Sequence, residues 1–169
     1  MAPPPTSTWT GRLASGIETL FPGYFALVMA TGIVAIASHL FELPRLSRAL
    51  LAVNVAAYAI LGMMLLVRLV RWFGRVVDDV RDHGRGPGFF SVVAATCVLG
   101  SQLVILTGRT GVARGLWVAG IVQWVIVMYG FFAATIVRER KPSLEAGING
   151  AWLMATVGRQ SISVLGTLL

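Results

Sequence analysis

Apolar residues run through this chain in blocks, longer and more uniform than the half-apolar pattern of a surface helix or the alternation of a surface strand. Uncharged stretches occupy residues 21–41, 49–67, 89–108 and 116–137. About 20 apolar helical residues cross ~30 Å of hydrocarbon, so each stretch predicts a transmembrane helix. A fifth block covers 148–169, is interrupted by Arg159 and is still apolar at Leu169. A helix begun near Trp152 would be only ~27 Å long at that point. The pattern predicts an all-α integral membrane protein of about five spans, the fifth incomplete, behind an N-terminal cytoplasmic tail over residues 1–20.

Composition agrees. The 169 residues are 56% hydrophobic and 12% charged, with a mean hydropathy of +0.78. A soluble domain is nearer a quarter charged. The 14 Lys and Arg exceed the 7 Asp and Glu. They cluster between apolar runs, which reads as topology and not as a nucleic-acid surface. Arg12, Arg68, Arg71, Arg75, Arg81, Arg85, Arg138, Arg140 and Lys141 fall on one side, and Arg45, Arg48, Arg109 and Arg114 on the other. The bias places the N-terminus in the cytoplasm of a multi-pass cell-membrane protein. "AIA" at 35–37 has the form of a signal-peptidase site, but the first run exceeds the usual ~7–15 apolar residues and follows a weakly charged leader, so it reads as a span. The leader "MAPPPTST" has the composition of a disordered segment. "RLVRWFGRVVDD" repeats apolar residues at Leu69, Trp72, Phe73, Val76 and Val80, with Arg75 and Asp79 four apart on another face. It predicts a helical extension at the cytoplasmic interface.

In the first span Gly23, Ala26, Ala30, Thr31, Ala35, Ala37 and Ser38 share half of a helical wheel, and Phe25, Val28, Met29, Ile33 and Ile36 fill the other half. A small-residue face serves close helix packing or lines a route through the membrane, and the pattern alone admits both. Span three places Ser91, Ala94, Ala95, Ser101 and Gln102 on one arc. Span four is bulky, with Trp117, Trp124, Tyr129, Phe131 and Phe132, and reads as peripheral. All seven acids lie outside the apolar runs, which argues against a carboxylate-lined cation path or proton relay. Arg159, with Gln160, Ser161 and Ser163 nearby, either offers donors to an anion or marks the interfacial end of a longer span.

Other chemistry is sparse. Cys97 is the only cysteine and reads as a small apolar residue. His39 and His83 lack clustered ligand partners, so no metal and no cofactor is implied. "GRGPG" at 84–88 lacks the Lys-Ser/Thr of a phosphate loop and reads as a turn. No catalytic spacing supports an enzyme.

Three ordered motifs carry a family resemblance: "FPGYFALVMATG", "DHGRGPGFFSVVAATCVLGSQ" and "INGAWLMATVGRQS". They resemble the first, third and fifth helix signatures of the tellurite-resistance/C4-dicarboxylate transporter family, which includes slow-type anion channels and malate and sulfite carriers. The actinobacterial-type dicarboxylate branch is the nearest in character. The resemblance implies ten helices in five hairpins, with odd helices around a central pore, commonly in a homotrimer. It implies transport of small anions, C4-dicarboxylates such as malate or inorganic anions, with a link to tellurite resistance. By motif position it puts Gly23, Thr31, Gly32, Ser91, Gly100, Trp152, Arg159 and Gln160 near the pathway. The family's gating phenylalanine lies in a ninth helix that this chain lacks. Either the chain is a fragment, which the abrupt fifth span favours, or several short chains complete a pore. Channel and carrier mechanisms both stay open, as does a membrane scaffold whose small faces serve packing alone.

Overall fold

The computed structural model describes residues 9–82, 84–136 and 150–169. All regular structure in them is helical. An N-terminal helix α1 (Trp9–Glu18) precedes α2 (Ala26–Leu40), α3 (Pro44–Arg71), α4 (Phe73–Arg81), α5 (Phe90–Thr107), α6 (Thr110–Ile136) and α7 (Met154–Thr167). Among the described residues, four stretches are long and apolar enough to cross a membrane: Pro22–Leu40, Pro44–Arg71, Gly86–Thr107 and Thr110–Ala134. The protein is an all-α membrane protein. Residues 1–8, which hold the leader, together with His83 and residues 137–149, lie outside the described residues.

The hairpins follow from local chemistry. Gly108 closes α5 in the left-handed region at φ 67°, and its N–H donates to Val104 O at 2.9 Å while Arg109 N–H reaches back to Leu103 O. Such a left-handed cap satisfies helix-end carbonyls, and glycine takes it without a Cβ penalty. Between α2 and α3 the same backbone region is taken by Glu42, at φ 59°. Pro44 then opens α3 at a position where no amide donor is needed.

A repeat emerges that hydropathy does not display. α2, α5 and α7 are each preceded by one 3₁₀ turn, at Pro22–Phe25, Gly86–Phe89 and Gly150–Leu153. Their starts, at 22, 86 and 150, recur every 64 residues. The turns lie at one end of the bundle, the middle one touching both others.

α5 is the hub. It packs against α2, α3, α6 and α7, and 72% of its apolar window is buried, against 6% for α3 and 11% for α6. The odd spans thus gather around α5 while α3 and α6 face outward, in keeping with the bulk of span four.

α3 shows what holds an outer helix in place. Its fully buried residues are Ser47, Asn54 and Arg68, all polar and all on one seven-residue spacing, with half-buried Leu61 at the vacant step. A seven-residue spacing keeps to one seam of a helix pair. Burial of apolar surface drives little association between helices already in lipid, so packing and interhelical hydrogen bonds carry it. Accordingly Ser47 Oγ–H donates to Ala35 O at 2.9 Å, Asn54 Nδ2 to Gln102 Oε1 at 2.8 Å, and Arg68 reaches three acceptors beyond its own helix.

The interfacial segment is a separate helix. α3 stops at Arg71, Trp72 breaks the run at φ −133° and ψ 44°, and α4 follows. Its charges pair across the fold: Asp79 meets Arg68 and Arg85, and Arg75 meets Glu18.

Candidate functional site

At the end where α2 and α5 begin, the two entry turns are joined through one side chain. The Ser91 hydroxyl lies 2.9 Å from Pro22 O and 2.7 Å from Gly88 O, so its proton is shared between the openings of the two helices. A Cβ on Gly88 would stand 3.1 Å from Gly23 N, so any side chain at position 88 would press on that joint. The Phe21 ring covers Gly23 and stacks under Arg85, whose guanidinium carbon is 5.3 Å from the ring centroid. Arg85 also contacts Asp79 Oδ1 at 2.8 Å as an ion pair, while Asp79 Oδ2 accepts from Arg68 at 2.7 Å.

Arg68 is the largest fully buried side chain among the described residues, 2% exposed. Its Nε and Nη1 donate to Glu18 O and Leu20 O, carbonyls at and just past the end of α1. Arg85 Nη2 adds weaker contacts to Thr19 O and Leu20 O. A cation near a helix C-terminus complements its partial negative charge. One acid and two arginines therefore fasten α1, α3, α4 and the loop before α5 beside the entry turns.

Two polar rungs cross the bundle deeper in. Asn54 and Gln102 form a buried amide pair whose remaining atoms, Asn54 Oδ1 and Gln102 Nε2, have no partner among the described residues. Tyr58 OH lies 2.8 Å from Thr96 Oγ1, which is also 2.9 Å from Gln123 Oε1, so α3, α5 and α6 meet through side-chain oxygens.

The eight residues singled out from the motifs fall at separate stations. Gly23 and Ser91 come together at the entry turns. Gly32 is buried, and a Cβ there would stand 2.5 Å from Val98 Cγ1 and 3.1 Å from Asn54 Nδ2, so α2 approaches α5 and α3 closely at this point. Thr31 is half-buried beside it. Gly100 is buried against Leu165 of α7. Half-buried Trp152 sets its ring 5.0 Å from Phe131, which also meets Phe90. Arg159 and Gln160 are exposed on α7, next to Gly158, which packs on Phe90 and Val93 of α5. Cys97 is buried beside Gly120 of α6. A cavity of about 970 Å³ lies elsewhere, between α3, α4 and α6, and none of the eight lines it.

Residues 19–169 match the family model described as voltage-dependent anion channel, SLAC1. The chain belongs to this family. The match takes in both entry turns, every described span and Arg159, so the buried network at the entry is a feature of a voltage-dependent anion channel family member. A relative from Methanocaldococcus jannaschii, named uncharacterized transporter MJ0762, is 21% identical over 167 residues, covering 93% of this chain and 47% of the relative. The chain spans about half the length of that curated relative. No solved structure matches it.

Sequence reasoning passed over the entry network. Arg68 and Arg85 were available only as topology charges, and Asp79 only as a partner four residues from Arg75 on the interfacial helix. The seven-residue spacing of Ser47, Asn54 and Arg68 was the signal that at least one of them points inward.

Proposed function

We propose that the full-length protein carries small anions across the cell membrane, C4-dicarboxylates such as malate or inorganic anions, along a route bordered by α2, α5 and α7. The observation that carries this reading is Arg159, an exposed guanidinium within α7 of a chain whose helices α2, α3, α5, α6 and α7 contain no Asp or Glu. A cation in an otherwise apolar segment is costly unless it meets water, an anion or a partner. Without carboxylates in those helices the local potential favours anions and offers no acidic proton relay, which fits passive flow better than proton-coupled exchange. The remaining chain of a family-length protein completes the route, in a homotrimer with its N-terminus in the cytoplasm.

The scaffold reading has its own support. Gly32, Ser91 and Gly100 are all buried in contacts between helices. Potential-driven flux of malate and chloride in proteoliposomes, with Arg159→Ala compared to the parent, separates the two readings. Flux that depends on Arg159 supports transport, and a folded oligomer silent toward both anions supports the scaffold.

A further inference from the structure

The end of the bundle opposite the entry turns carries charge that the fold does not use. α2 and α5 run side by side in the same direction, joined at their starts by Ser91 and in close approach at Gly32 and Val98. Their far ends therefore lie together, and with them the turn from α2 into α3 and the turn from α5 into α6. Arg45 and Arg48 stand in the opening turns of α3, and Arg109 and Arg114 at the opening of α6. All four are exposed, and among the described residues none of their guanidiniums enters an ion pair. Glu42 is the one carboxylate in these two turns. At the entry end, by contrast, Glu18, Asp78, Asp79 and Asp82 accompany the five arginines of α3, α4 and the loop after it, and three ion pairs join the two sets.

Two physical rules weigh against cations in the far turns. A cation at a helix N-terminus opposes the partial positive charge of its free N–H groups. In the orientation proposed above this end faces outward, the side on which Lys and Arg are disfavoured. Charge kept against both rules is explained by what it attracts. We infer that the four arginines form an electropositive rim that gathers small anions at the mouth of the route bordered by α2, α5 and α7. The inference rests on the transport reading above. Packed helix axes are about 8–10 Å apart, and the Debye length is ~10 Å at 0.1 M, so the charges of both turns act jointly on an ion at the mouth. Such a potential raises the local concentration of anions, and with it their rate of entry. The enrichment grows exponentially with ionic charge, so a dianion is enriched by the square of the factor for a monoanion.

The square relation makes the rim testable. The full-length protein is reconstituted in phosphatidylcholine vesicles, and initial uptake is followed against concentration for chloride and for malate at a pH where malate is a dianion. Arg45→Gln, Arg48→Gln, Arg109→Gln and Arg114→Gln combined should raise the KM for chloride about threefold and that for malate about ninefold, with the maximal rate and the oligomer kept. Both differences should vanish in about 1 M of an impermeant sulfonate salt, where the Debye length is ~3 Å. Lysine at the same four positions should restore parental behaviour. The Arg45 and Arg48 pair and the Arg109 and Arg114 pair, exchanged separately, should each give part of the effect. A parent silent toward both anions contradicts the transport reading and the rim with it. Parental flux that the glutamine variant leaves unchanged, or lowers equally for chloride and malate, overturns the rim alone. Lowered retention of phosphatidylglycerol in such a variant would assign the arginines to lipid headgroups instead.

Discussion

Arg68 Nη2 donates to Asp79 Oδ2 across 2.7 Å, with Arg68 2% and Asp79 14% exposed. The pair joins the last turn of α3 to the short amphipathic helix that follows it. Breaking such a pair from one side leaves a charge that burial makes expensive. Asp79→Ala is therefore expected to destabilise the protein by about 3–5 kcal/mol. Arg68→Met should cost less than Asp79→Ala, because it removes the buried charge along with the bond. Thermal unfolding in detergent checks the order, and equal or reversed costs would contradict it.

The Asn54–Gln102 pair gives a second expectation. Asn54→Leu or Gln102→Leu alone leaves a buried amide unpaired, at about 1–3 kcal/mol, whereas replacing both removes the unmet donor and acceptor together. The double variant should be more stable than the sum of the two single losses allows. Additive losses in the cycle would show that the amides do not depend on each other.

Gly32 and Gly100 should differ when each becomes alanine. The new Cβ at 32 meets Val98 Cγ1, on a side chain stiff about χ1, and the one at 100 meets Leu165 Cδ2, which can turn about χ2. Overpacking of this kind costs about 1–3 kcal/mol, and Gly32→Ala should lie at the upper end. Oligomer retention and unfolding midpoints of the two variants decide the comparison.

Glu42 occupies the left-handed region without being glycine. That conformation costs a residue with a Cβ roughly 1–2 kcal/mol. Glycine avoids the cost but gives back about 0.5–1 kcal/mol in chain entropy. Glu42→Gly is expected to raise the unfolding midpoint slightly, and a lowered midpoint would mean that the Glu42 side chain stabilises the hairpin.

The spans were legible because membrane helices announce themselves by length and lack of charge, and the outward position of span four followed from its bulk. The motifs led to Gly32, Ser91 and Gly100, yet a small residue looks the same in sequence whether it meets a neighbouring helix or a route for ions. In the structure all three are engaged in helix contacts. The entry network was hidden for another reason. Arg68 sits at the boundary where hydropathy hands over to topology, and an arginine there resembles one at the interface until its carbonyl and carboxylate partners are seen. Asp79 looked like an i,i+4 partner for Arg75, but the turn at Trp72 directs it toward Arg68 and Arg85.

The central claim concerns Arg159 and the route it borders. The most direct measurement is anion flux into proteoliposomes containing the protein at full native length, under an imposed membrane potential, with malate and chloride compared. The account predicts potential-dependent flux that Arg159→Ala lowers several-fold without loss of the oligomer. Equal flux from the parent and Arg159→Ala, or no flux of either anion from a verified folded oligomer, would contradict it.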